Sequence, residues 1–367
     1  LPKDKDYEVR GNISAFDVSA DGKKLAFVSR GELFVSDVDG KFVQQINRNS
    51  AERVREVKWM ADNKTLLFNQ TWDGYANWYS IRADSSSAAK QLSNDKRNNR
   101  SLVMNKKRTM AVYLSGRDEV RLLDLKTLQS KTIVKDELWA FQNSDPGFSP
   151  NDEYVLFTAI RNFEQDIFIH HIKNNKTTNL TNTGITEAGP VWSADGKYIY
   201  FTSQRLKPSY PFGMANAKVY RLPLEKIDEP YRLDKYNELF KDEKKPAAAK
   251  TDSLQQSQPI SIDMDLLMER MQQVSPSAGA QFLINVFQKG EKATVLYVSN
   301  HGEGRNAIWK TVIEPFEQNK TEKIAGTDNT FGFEVVEVSD KFYALTNGNI
   351  VKLNLDANKI DPVTISF

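Results

Sequence analysis

The sequence contains no cysteine, which excludes disulfide bonds, thiolate metal ligands and a cysteine nucleophile. No apolar run approaches the roughly 20 residues that a helix needs to cross a bilayer. The 50 basic and 48 acidic side chains leave a formal net charge of +2, so the chain lacks the electrostatic signature of nucleic-acid or anionic-membrane binding. The 367 residues are 40% apolar and 27% charged, which is ordinary for a globular protein.

Motifs for catalysis and metal binding are also scarce. The sequence has no Gly-X-Ser-X-Gly nucleophile elbow, no phosphate-binding glycine loop, and no zinc or calcium spacing. His170 and His171 are adjacent on a predicted strand, so their side chains point to opposite faces and do not share one metal ion. His301 lies in a polar turn, which we interpret as solvated. We therefore predict no cofactor and no bound metal.

The sequence does contain a repeated hairpin. Residues 190–203, PVWSADGKYIYFTS, predict two short strands around a tight turn, in which Gly196 takes a positive φ and Asp195 bonds to the nearby backbone. Further copies align with Ser193 at positions 19, 60, 104 and 149, so the steps are 41, 44, 45 and 44 residues. A period of this length, with several strands in each unit, is typical of β-propeller blades.

The rest of each unit is consistent with a blade. A third strand pattern and a more polar outer strand follow each hairpin. Residues 238–259 are rich in Lys, Glu, Ala, Ser and Gln, and we interpret them as a solvated insertion, either bare or in contact with another domain. Strand patterns at 260–263 and 268–274 are assigned to a sixth unit, and residues 363–367 to the last strand of a seventh.

These patterns predict a fold that is nearly all β. We expect a seven-bladed β-propeller of four-stranded antiparallel blades, formed by residues 1–367 as a single domain. Six blades are the alternative if the region around the insertion is divided differently.

Three segments carry a resemblance to a known family. Hairpins of the form Ser-X-Asp-Gly-Lys are shared by TolB-like proteins and tricorn-like proteases. Residues 13–34, ISAFDVSADGKKLAFVSRGELF, resemble the opening of the second, seven-bladed propeller of tricorn-like proteases. Residues 202–222, with Arg205, Pro208 and Tyr210, resemble its fifth blade and long inserted loop. Residues 262–279 resemble the unit after the family's variable acidic insertion.

This resemblance implies a part of a larger enzyme. In the family, a PDZ domain and a serine peptidase core carry the catalytic residues, so no catalytic residue is assigned to this chain. The implied function is a non-catalytic propeller that admits or binds peptides, with unfolded polypeptide, the parent PDZ and peptidase domains, and further copies of itself as partners. The alternative is a stand-alone TolB-like propeller that binds a protein partner. A third interpretation is the propeller of a prolyl-oligopeptidase-type enzyme, which the order of the motifs disfavours.

Candidate peptide contacts follow from exposed aromatic and polar positions in predicted loops. Trp72, Tyr75 and Trp139 lie in loops or at strand edges, where aromatic side chains provide large contact areas at low entropic cost. Arg205 and Tyr210 belong to the inserted loop of the fifth blade. We expect a site at the mouth of the central channel. The resemblance favours an exported, periplasmic protein, although the first six residues are not a signal peptide; a cytoplasmic protein is the alternative.

Overall fold

The computed structural model describes residues 8–47, 51–139, 144–208, 214–227, 232–241, 259–331 and 333–367. Within these ranges the chain forms 28 strands, arranged as seven four-stranded antiparallel sheets of consecutive strands. The prediction of an all-β, seven-bladed propeller is thereby confirmed, and the alternative of six blades is wrong. Among the described residues, no helix is both long and apolar enough to cross a membrane.

Each blade takes its four strands in chain order. Blades 1 and 2 comprise β1 (Ile13–Val18), β2 (Lys24–Ser29), β3 (Glu32–Asp37), β4 (Gln44–Ile46), β5 (Val54–Trp59), β6 (Thr65–Trp72), β7 (Tyr75–Arg82) and β8 (Lys90–Gln91). Blades 3 and 4 comprise β9 (Asn99–Met104), β10 (Met110–Ser115), β11 (Glu119–Asp124), β12 (Ser130–Lys135), β13 (Gly147–Phe148), β14 (Tyr154–Arg161), β15 (Glu164–His171) and β16 (Lys176–Asn179).

The remaining blades follow the same order. Blades 5 to 7 comprise β17 (Glu187–Trp192), β18 (Tyr198–Ser203), β19 (Lys218–Pro223), β20 (Gln272–Gln273), β21 (Gln281–Lys289), β22 (Lys292–Ser299), β23 (Ala307–Ile313), β24 (Lys320–Lys323), β25 (Glu334–Val338), β26 (Lys341–Thr346), β27 (Asn349–Asn354) and β28 (Lys359–Pro362). A short helix, α1 (Arg232–Glu238), and a 3₁₀ turn (Leu267–Arg270) lie between the third and fourth strands of blade 5.

The repeated hairpin owes its shape to one side chain in the turn. Ser193 Oγ donates to Asp195 at 2.6 Å and accepts the backbone N–H of Tyr198 at 3.0 Å, which fixes the start of the second strand. Gly196 takes a φ of 76°, a conformation that a Cβ would disfavour. In the divergent third copy, the Oδ1 atom of Asn105 accepts two backbone N–H groups instead. An amide therefore replaces the serine hydroxyl without loss of the turn.

The hydrophobic core of the described residues is divided into seven clusters, and each cluster lies between two neighbouring blades. The cluster between blades 2 and 3, for example, joins Trp78 to Tyr113, whose rings meet edge-to-face with centroids 5.5 Å apart. Second strands, covered on both sides, carry most of the largest fully buried side chains, although Trp59 and Phe16 lie in first strands. Stability therefore comes from contacts between blades, as in a repeat protein.

Blade 7 closes the ring by packing against blade 1. The two blades share a cluster that includes Phe16 and Tyr343, and the N–H of Ile13 donates to the carbonyl of Gly348 at 3.0 Å. The residues after β28 also reach blade 1, where the N–H of Ser366 donates to the carbonyl of Gly40 at 2.8 Å. The assignment of residues 363–367 to the last strand of blade 7 is therefore wrong, because β28 already fills that position and the end of the chain packs across the seam.

The interrupted region also differs from the sequence-based assignment. The outer strand of blade 5 is β20, which pairs with β19 although about 48 residues separate them. Residues 260–263 form no strand, and 267–270 form the 3₁₀ turn, so the residues before β21 complete blade 5 rather than begin blade 6. Of the proposed insertion 238–259, residues 242–258 lie outside the described residues. The boundaries of the domain and of its insertion stay predictions.

Candidate functional site

The first strands of the seven blades surround the propeller axis. Contacts run from β1 to β5, β9, β13, β17, β21 and β25, and return to β1. We name the two faces by their connections. The loop face carries the turns between second and third strands and the links from one blade to the next. The hairpin face carries the turns between first and second strands and between third and fourth strands.

A bulge in the first strand recurs in five blades, where the pairing with the second strand shifts register. In blade 3 the bulge leaves the N–H groups of Ser101 and Leu102 without strand partners. The carboxylate of Glu56, from blade 2, accepts both at 2.8 and 3.1 Å. Burial raises the pKa of Glu56. The bulge of blade 3 thus frees two backbone N–H groups, which a side chain of the neighbouring blade satisfies.

Arg108 holds three blades together near the hairpin face. Its guanidinium donates to Asp17 at 2.9 Å, to the carbonyl of Trp59 at 2.6 Å and to the carbonyl of Val18 at 2.9 Å. Asp17 also accepts the N–H of Trp59 at 2.7 Å. Asp17 is only 3% exposed, so these hydrogen-bond donors must offset the free-energy cost of burying its charge.

A second ion pair lies farther along the same strands. Lys58 Nζ of β5 lies 3.1 Å from Glu334 Oε1 of β25, so the pair joins blades 2 and 7 past the first strand of blade 1. Although burial alone would lower it, the pKa of Lys58 is raised by the carboxylates of Glu334 and Asp17. Charged groups of both signs therefore line the axis and are held by one another.

The predicted contact residues lie on one face but in separate blades. Trp72 and Tyr75 are cross-strand partners at the β6–β7 turn of blade 2, and Trp72 is 50% exposed. Trp139, in the link between blades 3 and 4, meets Phe163 edge-to-face with ring centroids 6.0 Å apart. Arg205 follows β18 in blade 5. All of these positions belong to the loop face, whereas Tyr210 lies outside the described residues.

Sequence reasoning missed other exposed apolar side chains on the loop face. Phe163 is 62% exposed in the β14–β15 turn, and Phe331 is 70% exposed in the link between blades 6 and 7. Phe331 lines a cavity of about 490 Å³ at the seam of blades 7 and 1, together with Phe333, Ile13 and Glu334. An aromatic residue in a two-residue turn is the signal that identifies Phe163; Phe331 has no comparable signal because its link has no repeat pattern.

Glu187 is a buried carboxyl group at the loop-face end of β17. Glu187 is fully buried, and its Oε1 atom accepts a hydrogen bond from Thr183 Oγ1 at 2.8 Å. Burial raises the pKa of Glu187 to about 8, a shift that the nearby charge of Asp166 reinforces and that of Arg205 opposes. Within the described residues, Glu187 Oε2 and Arg205 Nη1 have no hydrogen-bond partner. A buried acid held in its neutral form near neutral pH is thus placed beside the predicted contact Arg205.

The hairpin face has its own exposed apolar group around α1, formed by Leu233, Tyr236, Leu239 and Phe240. Met264 and Leu266, in the segment before the 3₁₀ turn, are also exposed. Among the described residues, no group of three or more His, Cys, Asp or Glu side chains is arranged to hold a metal ion.

Comparison with known proteins identifies the family of this chain. Residues 13–339 match the family model described as the tricorn protease second beta propeller domain. The chain is 24% identical over 217 residues to the tricorn protease of Thermoplasma acidophilum, a match that covers 57% of this chain and 20% of that protein. The chain therefore spans about a fifth of the length of this curated relative.

Solved structures support the same fold. A crystal structure of the tricorn protease superposes with a TM-score of 0.70 at 16% identity, covering 97% of this chain and 34% of that one. A puromycin-hydrolysing peptidase of Mycobacterium tuberculosis superposes with a TM-score of 0.61 at 10% identity, covering 97% of this chain and 53% of that one. At these identities the likeness establishes the architecture alone.

Proposed function

Because the chain belongs to the family of tricorn protease second β-propeller domains, we propose that it is a non-catalytic propeller that binds or admits peptides for a serine peptidase core elsewhere in its parent protein. The observation that carries this proposal is the distribution of aromatic side chains on the loop face. Exposed aromatic side chains from several blades lie on that face, and Phe331 among them lines the seam cavity of about 490 Å³.

The charged groups along the axis suit a passage for extended chains. Glu56 and Lys58 are already paired within the propeller, so they present a polar wall that does not select for one side-chain sequence in the peptide. The ring of first strands is closed through contacts between blades 7 and 1. A folded domain does not pass such a ring, whereas an extended peptide needs only the space inside the first strands.

The aromatic side chains supply the affinity in this proposal. Trp72 presents half of its surface to solvent, and Trp139 and Phe163 form a contact pair on another blade. Aromatic anchors dominate binding energy at many interfaces, because they bury large areas with few rotatable bonds. Separate anchors on different blades of one face favour a long, unstructured ligand over a compact one.

Fluorescence anisotropy with an end-labelled, unstructured peptide of about a dozen residues tests the proposal. We expect saturable binding to the chain, and Trp72→Ser should weaken it about tenfold, since loss of an aromatic anchor removes 1–2 kcal/mol or so of interaction. The matched control is Phe42→Ser, a residue that is 78% exposed on the hairpin face. Absence of peptide binding, or equal losses in both variants, would contradict the proposal.

The alternative function is a scaffold that binds a folded protein partner. The exposed apolar group around α1 on the hairpin face favours this possibility. Contacts with PDZ and peptidase domains of the parent chain, assembly with further copies, and location in the periplasm or cytoplasm stay predictions. Weak peptide binding combined with tight binding to a separate folded protein would support this stand-alone scaffold.

A further inference from the structure

A second cavity on the loop face has a buried lysine in its wall. It measures about 270 Å³ and lies between the β18–β19 loop of blade 5 and the link from β20 to blade 6. Lys207, Asn216, Ser277 and Gly279 line it, and Lys218 at the start of β19 forms part of its wall. The Lys218 residue is only 3% exposed, whereas Lys207 is exposed beside it.

Lys218 is a buried charge without a counter-charge. Its ammonium donates to the carbonyl of Gly279, and within the described residues it makes no ion pair. Lys310, the other fully buried lysine of that part of the chain, lies 3.4 Å from Glu322. Lys207 likewise has no carboxylate within 4 Å among the described residues. The arrangement is costly for folding alone, because a buried charge is normally paired.

Nearby chain segments do not supply the missing charge. In blade 5, Lys218 pairs across the sheet with Ser203, and Ser203 pairs with Glu187. Glu187 is therefore about two strand spacings, or 10 Å, from Lys218. Glu187 hydrogen-bonds to Thr183 instead. Residues 209–213 of the neighbouring loop lie outside the described residues, and their sequence, SYPFG, contains no acid. Burial lowers the pKa of Lys218, and the positive charge of Lys207 lowers it further.

We propose that Lys218 and Lys207 bind a carboxylate group of an extended peptide in this cavity. The proposal rests on the proposed peptide-binding function and assigns a specific anchor to it. An ammonium has three N–H donors, and the carbonyl of Gly279 takes one of those of Lys218. Among the described residues no carboxylate meets the other two, and the exposed Asn216 and Ser277 add neutral hydrogen-bond donors at the rim. The carboxylate belongs either to the peptide's C-terminus or to an acidic side chain.

Three labelled peptides of one unstructured sequence without other acidic residues test this anchor and separate the two sources. The first has a free C-terminus, the second a C-terminal amide, and the third an amide with one internal Glu. We expect the intact chain to bind at least one of the two carboxylate peptides about tenfold more tightly than the plain amide, the size expected for a charge-assisted hydrogen bond. Preference for the first assigns the site to C-termini, and preference for the third to acidic side chains.

Variants identify the residues. Lys218→Met should abolish the preference and Lys207→Met should reduce it, while Lys64→Met, at an exposed lysine on the hairpin face, should retain it. Lys218→Met should also unfold at the same temperature as the unaltered chain or higher, because it removes an unpaired buried charge.

The outcomes separate this proposal from the broader function. Equal binding of all three peptides overturns the carboxylate anchor and leaves peptide binding standing. Failure of every peptide to bind overturns both. A preference that survives in Lys218→Met and in Lys207→Met overturns the assignment to these lysines.

Discussion

The ammonium of Lys58 lies 3.1 Å from the carboxylate of Glu334, although 276 residues separate them in the chain. The pair joins blade 2 to blade 7 across the first strand of blade 1, so it spans the seam where the ring closes. Its side chains are 23% and 39% exposed. The pair thus links an early blade to the last one through their first strands, beside the axis.

A double-mutant cycle measures this link. We expect Lys58→Met, Glu334→Gln and the double variant to give a coupling free energy of about 1 kcal/mol in urea unfolding, a modest value because Glu334 is partly solvated. Since the pKa of Lys58 is raised, its contribution is fully present below the ordinary lysine value and is lost only as the pH rises through the higher folded value. The coupling should therefore be unchanged between pH 6 and 9. A coupling near zero would show that the ring closes without this pair.

Arg108 is expected to matter more for stability. Arg108→Ala leaves the buried carboxylate of Asp17 with the N–H of Trp59 as its one remaining hydrogen-bond donor among the described residues, and we predict a loss of about 3 kcal/mol in the free energy of unfolding. The control is Arg117→Ala, at an exposed position on the loop face, which should change stability by less than about 0.5 kcal/mol. Asp17→Asn in the Arg108→Ala background should recover part of the loss, because it removes the stranded charge. Equal effects of the two arginine variants would refute this role.

Glu187 predicts a specific pH dependence. Its pKa is raised to about 8 by burial, so between its ordinary value and 8 the folded chain holds a proton that the unfolded chain has released. Stability should consequently fall as the pH rises through that window, by at most about 1.4 kcal/mol for each pH unit, and level off above it. Glu187→Gln should remove this slope, whereas the exposed Glu137→Gln should leave it unchanged. Urea unfolding from pH 5 to 9 provides the measurement, and an unaltered slope in Glu187→Gln would contradict the assignment.

The hairpins made the fold predictable, because local turn chemistry repeats at a nearly constant interval. Ser19, Ser149 and Ser193 determine their turns through contacts within five residues, so the pattern survives in the sequence. The outer strand β20 was missed for the opposite reason. It is two residues long and its partner lies beyond an insertion, so neither length nor spacing identifies it.

The candidate site was less accessible from the sequence. Trp72 and Trp139 were found because tryptophans in predicted turns and links are conspicuous, and both do lie on the loop face. Other features depend on how blades meet around the axis. They are the ion pair of Lys58 with Glu334, the burial of Lys218, and the bulge whose N–H groups bond to Glu56. Such contacts leave no local periodicity, because the residues involved belong to different blades.

The closing seam contains a close backbone approach that should be intolerant of substitution. A Cβ at Gly348 would lie 2.3 Å from backbone atoms of Gly11, and the φ of Gly348 is 72°. Gly348→Ala is therefore expected to push blade 7 away from blade 1 and to lower the free energy of unfolding by about 3 kcal/mol. Gly74 supplies the matched control, since its φ is 81° and a Cβ there would meet nothing within 4 Å.

Gly74→Ala should show only the conformational cost of a left-handed alanine, about 1 kcal/mol. Urea unfolding of the two variants isolates the steric contribution of the seam as their difference. Hydrogen exchange adds a local readout, because opening of the seam should accelerate exchange at the N–H of Ile13, which donates to the carbonyl of Gly348 at 3.0 Å. Equal destabilisation by both alanines, with unchanged exchange at Ile13, would mean that the ring does not depend on close contact at this point.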